Sequence, residues 1–296
     1  MNSNEFEKTA IRVSNVSIWG NTLLALFKLL AGIIAHSGAI VSDAVHSFSD
    51  VFSSIVVIIG VKMAAKAEDE DHPYGHERLE SVAAIILAVV LLVTGLFIGH
   101  AAIENLSAQN QPEHTIPGIL ALIAAAVSII VKEAMYWYTK VYAIRIDSDA
   151  LMADAWHHRS DALSSIGALI GIYGARMGLW WFDAAASLVI CLFIVKAAYD
   201  IFINAVEKMV DHACSDKFQK ELEAYVLTQA ENTRIKRLKT REFGNRIYVE
   251  LELMADGSMS LFESNRISEK VHDAIEKAYP KIKHIIVKML PDDEIR

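Results

Sequence analysis

Asp43-Ala44-Val45-His46-Ser47-Phe48-Ser49-Asp50-Val51-Phe52-Ser53-Ser54-Ile55 returns 111 positions later as Asp154-Ala155-Trp156-His157-His158-Arg159-Ser160-Asp161-Ala162-Leu163-Ser164-Ser165-Ile166. Asp, Ala, His, Ser, Asp, Ser, Ser and Ile recur in register. Both copies sit inside long apolar stretches. Ionisable side chains in hydrocarbon are costly, and where they are kept they mark a functional site. A His with two Asp, buried twice, points to a bound cation.

The surrounding composition makes the apolar setting concrete. The chain has 296 residues, 53% of them hydrophobic, and a mean hydropathy of +0.31. Up to about residue 206 it is a series of apolar runs; beyond that it reads as a soluble domain. A bilayer-spanning helix needs roughly 20 mostly apolar residues. Six stretches qualify: about 13–35, 38–64, 78–106, 116–142, 147–176 and 181–205. The expected architecture is therefore a membrane domain of six transmembrane helices over residues 1–212, followed by a cytoplasmic domain over 213–296. The links near 36–38 and 177–181 are short, so the helices they join are antiparallel neighbours. Lys62, Lys66, Arg78, Lys140 and Arg145 fall on alternate links, which places both termini in the cytoplasm by the positive-inside rule. The net charge of −8, without a basic patch carrying interleaved aromatics, gives no sign of a nucleic-acid partner. Cys191 and Cys214 form no CxxC pair. The polar start, with Glu5, Glu7 and Lys8, does not resemble a cleavable signal peptide.

Beyond residue 213 the pattern is αββαβ. Residues 215–230 and 261–278 read as helices, the second with Ile267, Val271, Ala274 and Ile275 on one face. Residues 235–243 and 246–254 read as strands joined at Gly244-Asn245, and 282–290 as a third strand. Ile247, Val249, Leu251 and Leu253 alternate with Tyr248, Glu250 and Glu252, as a half-buried strand requires. The expected fold is a small open-faced α+β sandwich.

Residues four apart share a helix face, so His46 points with Asp50 and His157 with Asp161. An odd number of crossings separates the two copies, so they run antiparallel. Two three-helix halves of inverted topology build a substrate site near the midplane. Facing each other, the pairs supply two imidazole nitrogens and two carboxylate oxygens, which can close tetrahedrally around Zn²⁺. The alternative is that these are buried polar residues satisfied by hydrogen bonds; the matched duplication argues against it. Asp43 and Asp154 stand three residues before their His. They are expected to be supporting or pathway carboxylates that attract the cation from either side, with an interfacial or helix-start role as the alternative. Lys132–Glu133 is expected to be an interior or interfacial pair outside the transport path, and Lys28 and Lys196 to snorkel. His158 faces about 100° away from His157 and is not counted as a ligand. His36, His100 and His114 are expected at the outer surface.

These features resemble the cation diffusion facilitator family of divalent metal transporters, including bacterial zinc and iron exporters. The resemblance covers nearly the whole chain. It rests on the His46/Asp50 and His157/Asp161 pairs, on Asp71-His72-Pro73-Tyr74-Gly75-His76-Glu77-Arg78-Leu79-Glu80-Ser81, and on the αββαβ tail. It implies a homodimer in the inner (plasma) membrane whose cytoplasmic domain has a metallochaperone-like fold and serves dimerisation. It implies that His46, Asp50, His157 and Asp161 hold the transported ion, and that proton exchange drives export. The chemistry agrees: a His must lose its proton to ligate, so protons and metal compete. It further implies a second metal site in the loop at Asp69, His72 and His76, and an Arg78–Asp211 ion pair. Where zinc-sensing relatives carry His in the tail, this chain has Lys236, Leu251 or Glu252, Asn265 and Lys288. A binuclear tail site is therefore not expected, with sensing through Glu250, Glu252 or His284 as an alternative.

The expected activity is secondary-active export of a divalent transition metal by alternating access, with the metal as substrate, no cofactor and no enzymatic reaction. Zn²⁺ is the favoured cargo, with Fe²⁺, Co²⁺ and Cd²⁺ open. Mn²⁺ is the alternative cargo, although relatives selective for Mn²⁺ tend to carry Asn or Asp where His46 stands. The rival reading is a non-transporting metal-dependent scaffold or sensor. An intramembrane metallohydrolase comes third, because no dedicated general base accompanies the duplicated pair.

Overall fold

The computed structural model describes residues 3–34, 44, 47, 48, 50–107, 119–176, 182–230 and 232–292. It divides at Ala205–Val206 into two compact units.

Six helices carry the apolar runs among the described residues. They are α1 (Ser3–Ile34), α2 (Val51–Ala64), α3 (Arg78–Ser107), α4 (Ile119–Ile146), α5 (Asp149–Arg176) and α6 (Phe182–Met209). α1 starts well before its apolar run, because the polar residues from Ser3 onward continue the same helix. The span predicted over 38–64 is described as a helix from Val51; most of 38–49, including Asp43 and His46, lies outside the described residues. Three stretches, Glu5–Ala31, Arg78–Glu104 and Ser187–Met209, are long and apolar enough to cross a membrane by length and composition. α4 and α5 are as long, at 28 residues each. Their apolarity is interrupted by Lys132, Glu133, Lys140 and Arg145 in α4 and by Asp149, Asp154, Arg159 and Asp161 in α5. Several of these interrupting residues turn out to build the site.

α4 and α5 are joined by two residues. Asp147 takes a left-handed conformation (φ 57°). Ser148 N–H donates to Ala143 O at 2.9 Å and Asp147 N–H to Ile144 O at 3.4 Å, a Schellman closure. The Ser148 hydroxyl then accepts from Leu151 N–H at 3.2 Å and caps α5. So tight a link lays α5 back along α4.

The helices approach closely because small residues stand at their contacts, as is usual where lipid offers no hydrophobic drive between helices. A Cβ on Gly60 of α2 would lie 2.4 Å from Ala83 Cβ of α3, and one on Gly99 of α3 would lie 2.6 Å from Cys191 Sγ of α6. Val13, Val57, Val61, Leu87, Leu91, Leu151, Ile190 and Ile194 form the shared core. Trp19, Leu30, Phe97, Leu192 and Phe193 face outward, an arrangement suited to hydrocarbon rather than water.

The C-terminal unit has the predicted order: α7 (Asp216–Gln229), β1 (Arg234–Phe243), β2 (Arg246–Asp256), α8 (Leu261–Ala278) and β3 (Ile282–Asp292). The sheet order is β1-β2-β3, with β1 antiparallel and β3 parallel to β2. Gly244 (φ 59°) makes the β1–β2 turn. A capping box between Ser260 and Glu263 starts α8. Val249, Leu251 and Leu253 of β2 pack with Leu222, Val226, Val271 and Ile275 of the two helices. The opposite sheet face is not wholly open. Tyr248 is buried there, stacked on Phe243 with ring centroids 4.6 Å apart, and the Arg241 guanidinium lies 5.1 Å from its ring.

Candidate metal centre

The repeated helices meet as antiparallel neighbours. Asp50, at the start of α2, lies beside His157 of α5 (Oδ1–Nε2 3.4 Å). One turn onward in α2, Ser53 Oγ and Ser54 Oγ donate to Asp154 Oδ1 at 3.0 and 3.3 Å, one turn back in α5. Rising number on one helix pairs with falling number on the other.

Asp50, His157 and Asp161 each offer one ligand atom within 4.8 Å of the others. All three are buried, with 3%, 8% and 9% of their surface exposed. These are three of the four expected ligands. The fourth, His46, falls outside the described residues, as does Asp43. Two carboxylates and an imidazole, buried together, form a donor set for a divalent transition metal.

A residue outside the repeated motif, on α4, completes the cluster. Lys132 of α4 was expected to pair with Glu133 away from the site. It is instead 1% exposed, with Nζ donating to Asp50 Oδ2 at 2.5 Å and to Asp161 Oδ2 at 2.8 Å. Neighbours on a helix point about 100° apart and cannot face each other. Glu133 turns outward, to Arg159 Nη1 at 3.3 Å and Trp137 Nε1 at 3.0 Å. Adjacency in the sequence argues against a Lys132–Glu133 pair but does not show where Lys132 reaches.

Lys28 also departs from expectation. It does not snorkel but is buried and donates to Ser47 Oγ at 2.8 Å. Lys196 is exposed and pairs with Asp200 at 2.9 Å.

Asp154 is fully buried rather than interfacial. Besides Ser53 and Ser54 it faces His158 Nε2 at 3.5 Å, and that nitrogen lies 3.1 Å from Ser17 Oγ of α1. Ser17 in turn lies 3.5 Å from Thr139 Oγ1 of α4. One polar network thus ties α1, α2, α4 and α5 beside the cluster, and His158 belongs to it rather than to the ligand set.

The loop between α2 and α3 also gathers its three expected residues. Asp69, His72 and His76 place ligand atoms within 4.8 Å of one another. A turn does this, not a helix: His72 N–H donates to Asp69 Oδ1 at 2.8 Å, and Gly75 (φ 93°) N–H donates to His72 O at 3.0 Å. His76 Nε2 stands 3.4 Å from Asp69 Oδ2, and its buried Nδ1 has no hydrogen-bond partner among the described residues. Lys66 Nζ donates to the same carboxylate at 2.5 Å and holds Asp69 well below the usual carboxylate range.

Asp211, two residues beyond α6, takes a left-handed conformation (φ 64°) and accepts from Arg241 Nη1 at 3.2 Å within the C-terminal unit. Its expected partner Arg78 belongs to the other unit. In the tail, Glu252 is flanked by Arg237 at 4.0 Å and Lys288 at 3.9 Å, cations where a metal site would need ligands. His284 packs on Tyr248, with ring centroids 5.5 Å apart. Half-buried His272 and exposed Asp273 and Glu276 of α8 also cluster. Of the surface histidines, His100 is exposed beside Glu104 at 3.7 Å; His36 and His114 lie outside the described residues.

Comparison with known proteins follows the same division. Residues 14–210 match the family model described as the cation efflux transmembrane domain. Residues 214–292 match that of the cation efflux protein cytoplasmic domain. An uncharacterised transporter of Methanocaldococcus jannaschii is 36% identical, over 92% of this chain and 94% of its own. The manganese efflux system protein MneS of Bacillus subtilis is 32% identical, over 89% and 90%. Metal tolerance protein C1 of Arabidopsis thaliana is 32% identical, over 90% of this chain and 59% of its own.

Proposed function

This chain belongs to the cation efflux family, and from that premise we propose that it exports a divalent transition-metal ion through a site made by Asp50, His157 and Asp161, with His46 as fourth ligand, in exchange for protons. The observation that carries the reading is the convergence of three buried ligand atoms within 4.8 Å on two antiparallel copies of one motif. Six spans, 1–212 as the membrane domain and 213–296 as a cytoplasmic homodimerisation domain complete it, with both termini in the cytoplasm and the plasma membrane as location. Proton coupling follows from the ligands: imidazole binds metal only when deprotonated, so acid outside releases the ion and a less acidic cytoplasm reloads the site.

Zn²⁺ is the favoured cargo if His46 joins His157, because two imidazoles and two carboxylates suit a borderline ion. Mn²⁺ is the second reading. It is supported by the name of the Bacillus relative and by a described set in which carboxylates outnumber imidazoles, a balance that suits a harder ion. Asp69, His72 and His76 make a second, loop metal site, and Arg78 and Asp211 an ion pair. The Asp154 network supports α5 beside the ligands rather than binding the ion.

Flux separates this reading from a metal-dependent scaffold or sensor. The protein in vesicles with an imposed pH gradient should move one or more of Zn²⁺, Mn²⁺, Fe²⁺, Co²⁺ and Cd²⁺. Metal binding without flux would favour the scaffold. His46→Asp should shift the preference toward Mn²⁺. Equal Zn²⁺ and Mn²⁺ flux in the wild type would remove the Zn²⁺ preference.

A further inference from the structure

Lys132 is the residue of the cluster that the repeated motif does not supply. Its Nζ bridges Asp50 Oδ2 at 2.5 Å and Asp161 Oδ2 at 2.8 Å, from a fully buried position on α4. The two carboxylates assigned to the metal are therefore also the two partners of a tethered ammonium. Metal–carboxylate bonds run at about 2.0–2.2 Å. An ion on the same two oxygens would press against Nζ. An ion on the other two oxygens would still face a second cation across one pair of carboxylates. The charge count agrees. Asp50, Asp161 and Lys132 sum to −1, and a divalent ion would take the three to +1 in a buried site, where an excess charge is poorly tolerated.

We propose that Lys132 is a built-in competitor of the transported metal: its ammonium and the ion alternate on Asp50 and Asp161. The proposal rests on the reading of those carboxylates as transport ligands. The ammonium stays charged throughout and swings aside when the ion enters. It weakens metal binding, which favours release. It also returns to the carboxylates after release, so the metal-free carrier reorients without bare charges in the membrane interior. Lys132 thus sets affinity and turnover together. A residue that merely orients the carboxylates would act in the opposite sense, and its loss would weaken binding.

The test uses the full-length protein, titrated with Zn²⁺ and Mn²⁺ by calorimetry and then assayed for initial-rate flux in vesicles. If the ammonium holds the carboxylates nine-tenths of the time, its removal tightens apparent binding about tenfold, since apparent affinity scales with the competent fraction. Lys132→Met should therefore bind metal about tenfold more tightly, with a lower KM and a lower kcat. Lys132→Arg, which keeps the charge, should restore weaker binding. Unchanged or weaker binding in Lys132→Met, or an unaltered kcat, overturns the proposal. Should Lys132→Met fail to fold, the metal-bound wild-type structure decides. Nζ more than about 4 Å from both carboxylates, beyond ion-pair reach, supports the alternation; Nζ still bridging both refutes it. A wild-type protein that binds no metal in the same titration brings down the transport-site reading and this proposal together. A wild type that binds metal beside an unaltered Lys132→Met brings down only the latter.

Discussion

Replacing Asp154 by Ala should loosen the membrane domain by about 3 kcal/mol. The carboxylate is fully buried and takes hydrogen bonds from Ser53 at 3.0 Å and Ser54 at 3.3 Å, and lies 3.5 Å from His158. Polar contacts between helices in a membrane average about 0.6 kcal/mol each by double-mutant cycles. Contacts to an ionised group are roughly twice as strong as neutral ones. Three contacts at about 1 kcal/mol each give the estimate. Ser53 keeps a second acceptor in Asp50 O at 2.7 Å, so the heavier losses fall on Ser54 and His158. Ser54→Ala alone should cost about 1 kcal/mol, and the Ser54/Asp154 double-mutant cycle should show coupling of at least about 0.5 kcal/mol. The assay is reversible denaturation in detergent, followed by tryptophan fluorescence. Asp154→Asn, which retains an acceptor, should fall between wild type and Asp154→Ala and retain flux. An Asp154→Ala protein within about 0.5 kcal/mol of wild type, which is the usual effect of an unremarkable surface change, would refute the network. Asp154→Asn with full stability and no flux would instead return Asp154 to the transport path.

Three further outcomes follow from the packing and the loop. Gly60→Ala places a methyl 2.4 Å from Ala83 Cβ, which has no rotamer to yield. The α2–α3 contact must open, and overpacking of this kind costs about 1–3 kcal/mol, readable as a lowered detergent melting temperature; a neutral result would contradict the close approach. Leu251→Ala, in the core of the C-terminal unit, should cost about 2–5 kcal/mol and speed hydrogen exchange in β2 and α8 while leaving α1–α6 protected. Asp69 has its pKa lowered by Lys66. Its contribution to loop order is therefore complete above the ordinary carboxylate pKa and fades as pH falls through the depressed folded value. Lys66→Ala should move its titration, followed by carboxyl carbon NMR, up toward the ordinary range near 3.8; an unmoved titration would remove the Lys66 contact.

Much of the fold was legible because the physics there is periodic. Apolar runs of spanning length located the helices, and alternation from Ile247 to Leu253 located β2 with its buried face. The repeated Asp-His-Asp spacing identified Asp50, His157 and Asp161 as residues that converge, since helical geometry fixes which of them share a face. Lys132 was not legible as a site member. A lysine in an apolar run looks the same whether it snorkels, pairs outward or reaches the core, and only tertiary placement of α4 against α2 and α5 distinguishes these. Lys28 shows the same limit: its partner Ser47 lies on a different segment, which no local pattern reveals. Tyr248 was misplaced for a related reason. Alternation assigned Tyr248 to an open face, but aromatic stacking with Phe243 and the Arg241 guanidinium cover it.

The central claim is that Asp50, His157 and Asp161 form one metal site through which the ion is exported. Its most direct measurement is paired metal binding and vesicle flux for wild type and His157→Ala, at matched protein amount and fold. The account predicts that one buried binding site per protomer and pH-driven flux are lost together, while any weaker binding at Asp69, His72 and His76 persists. Undiminished flux in His157→Ala would contradict it.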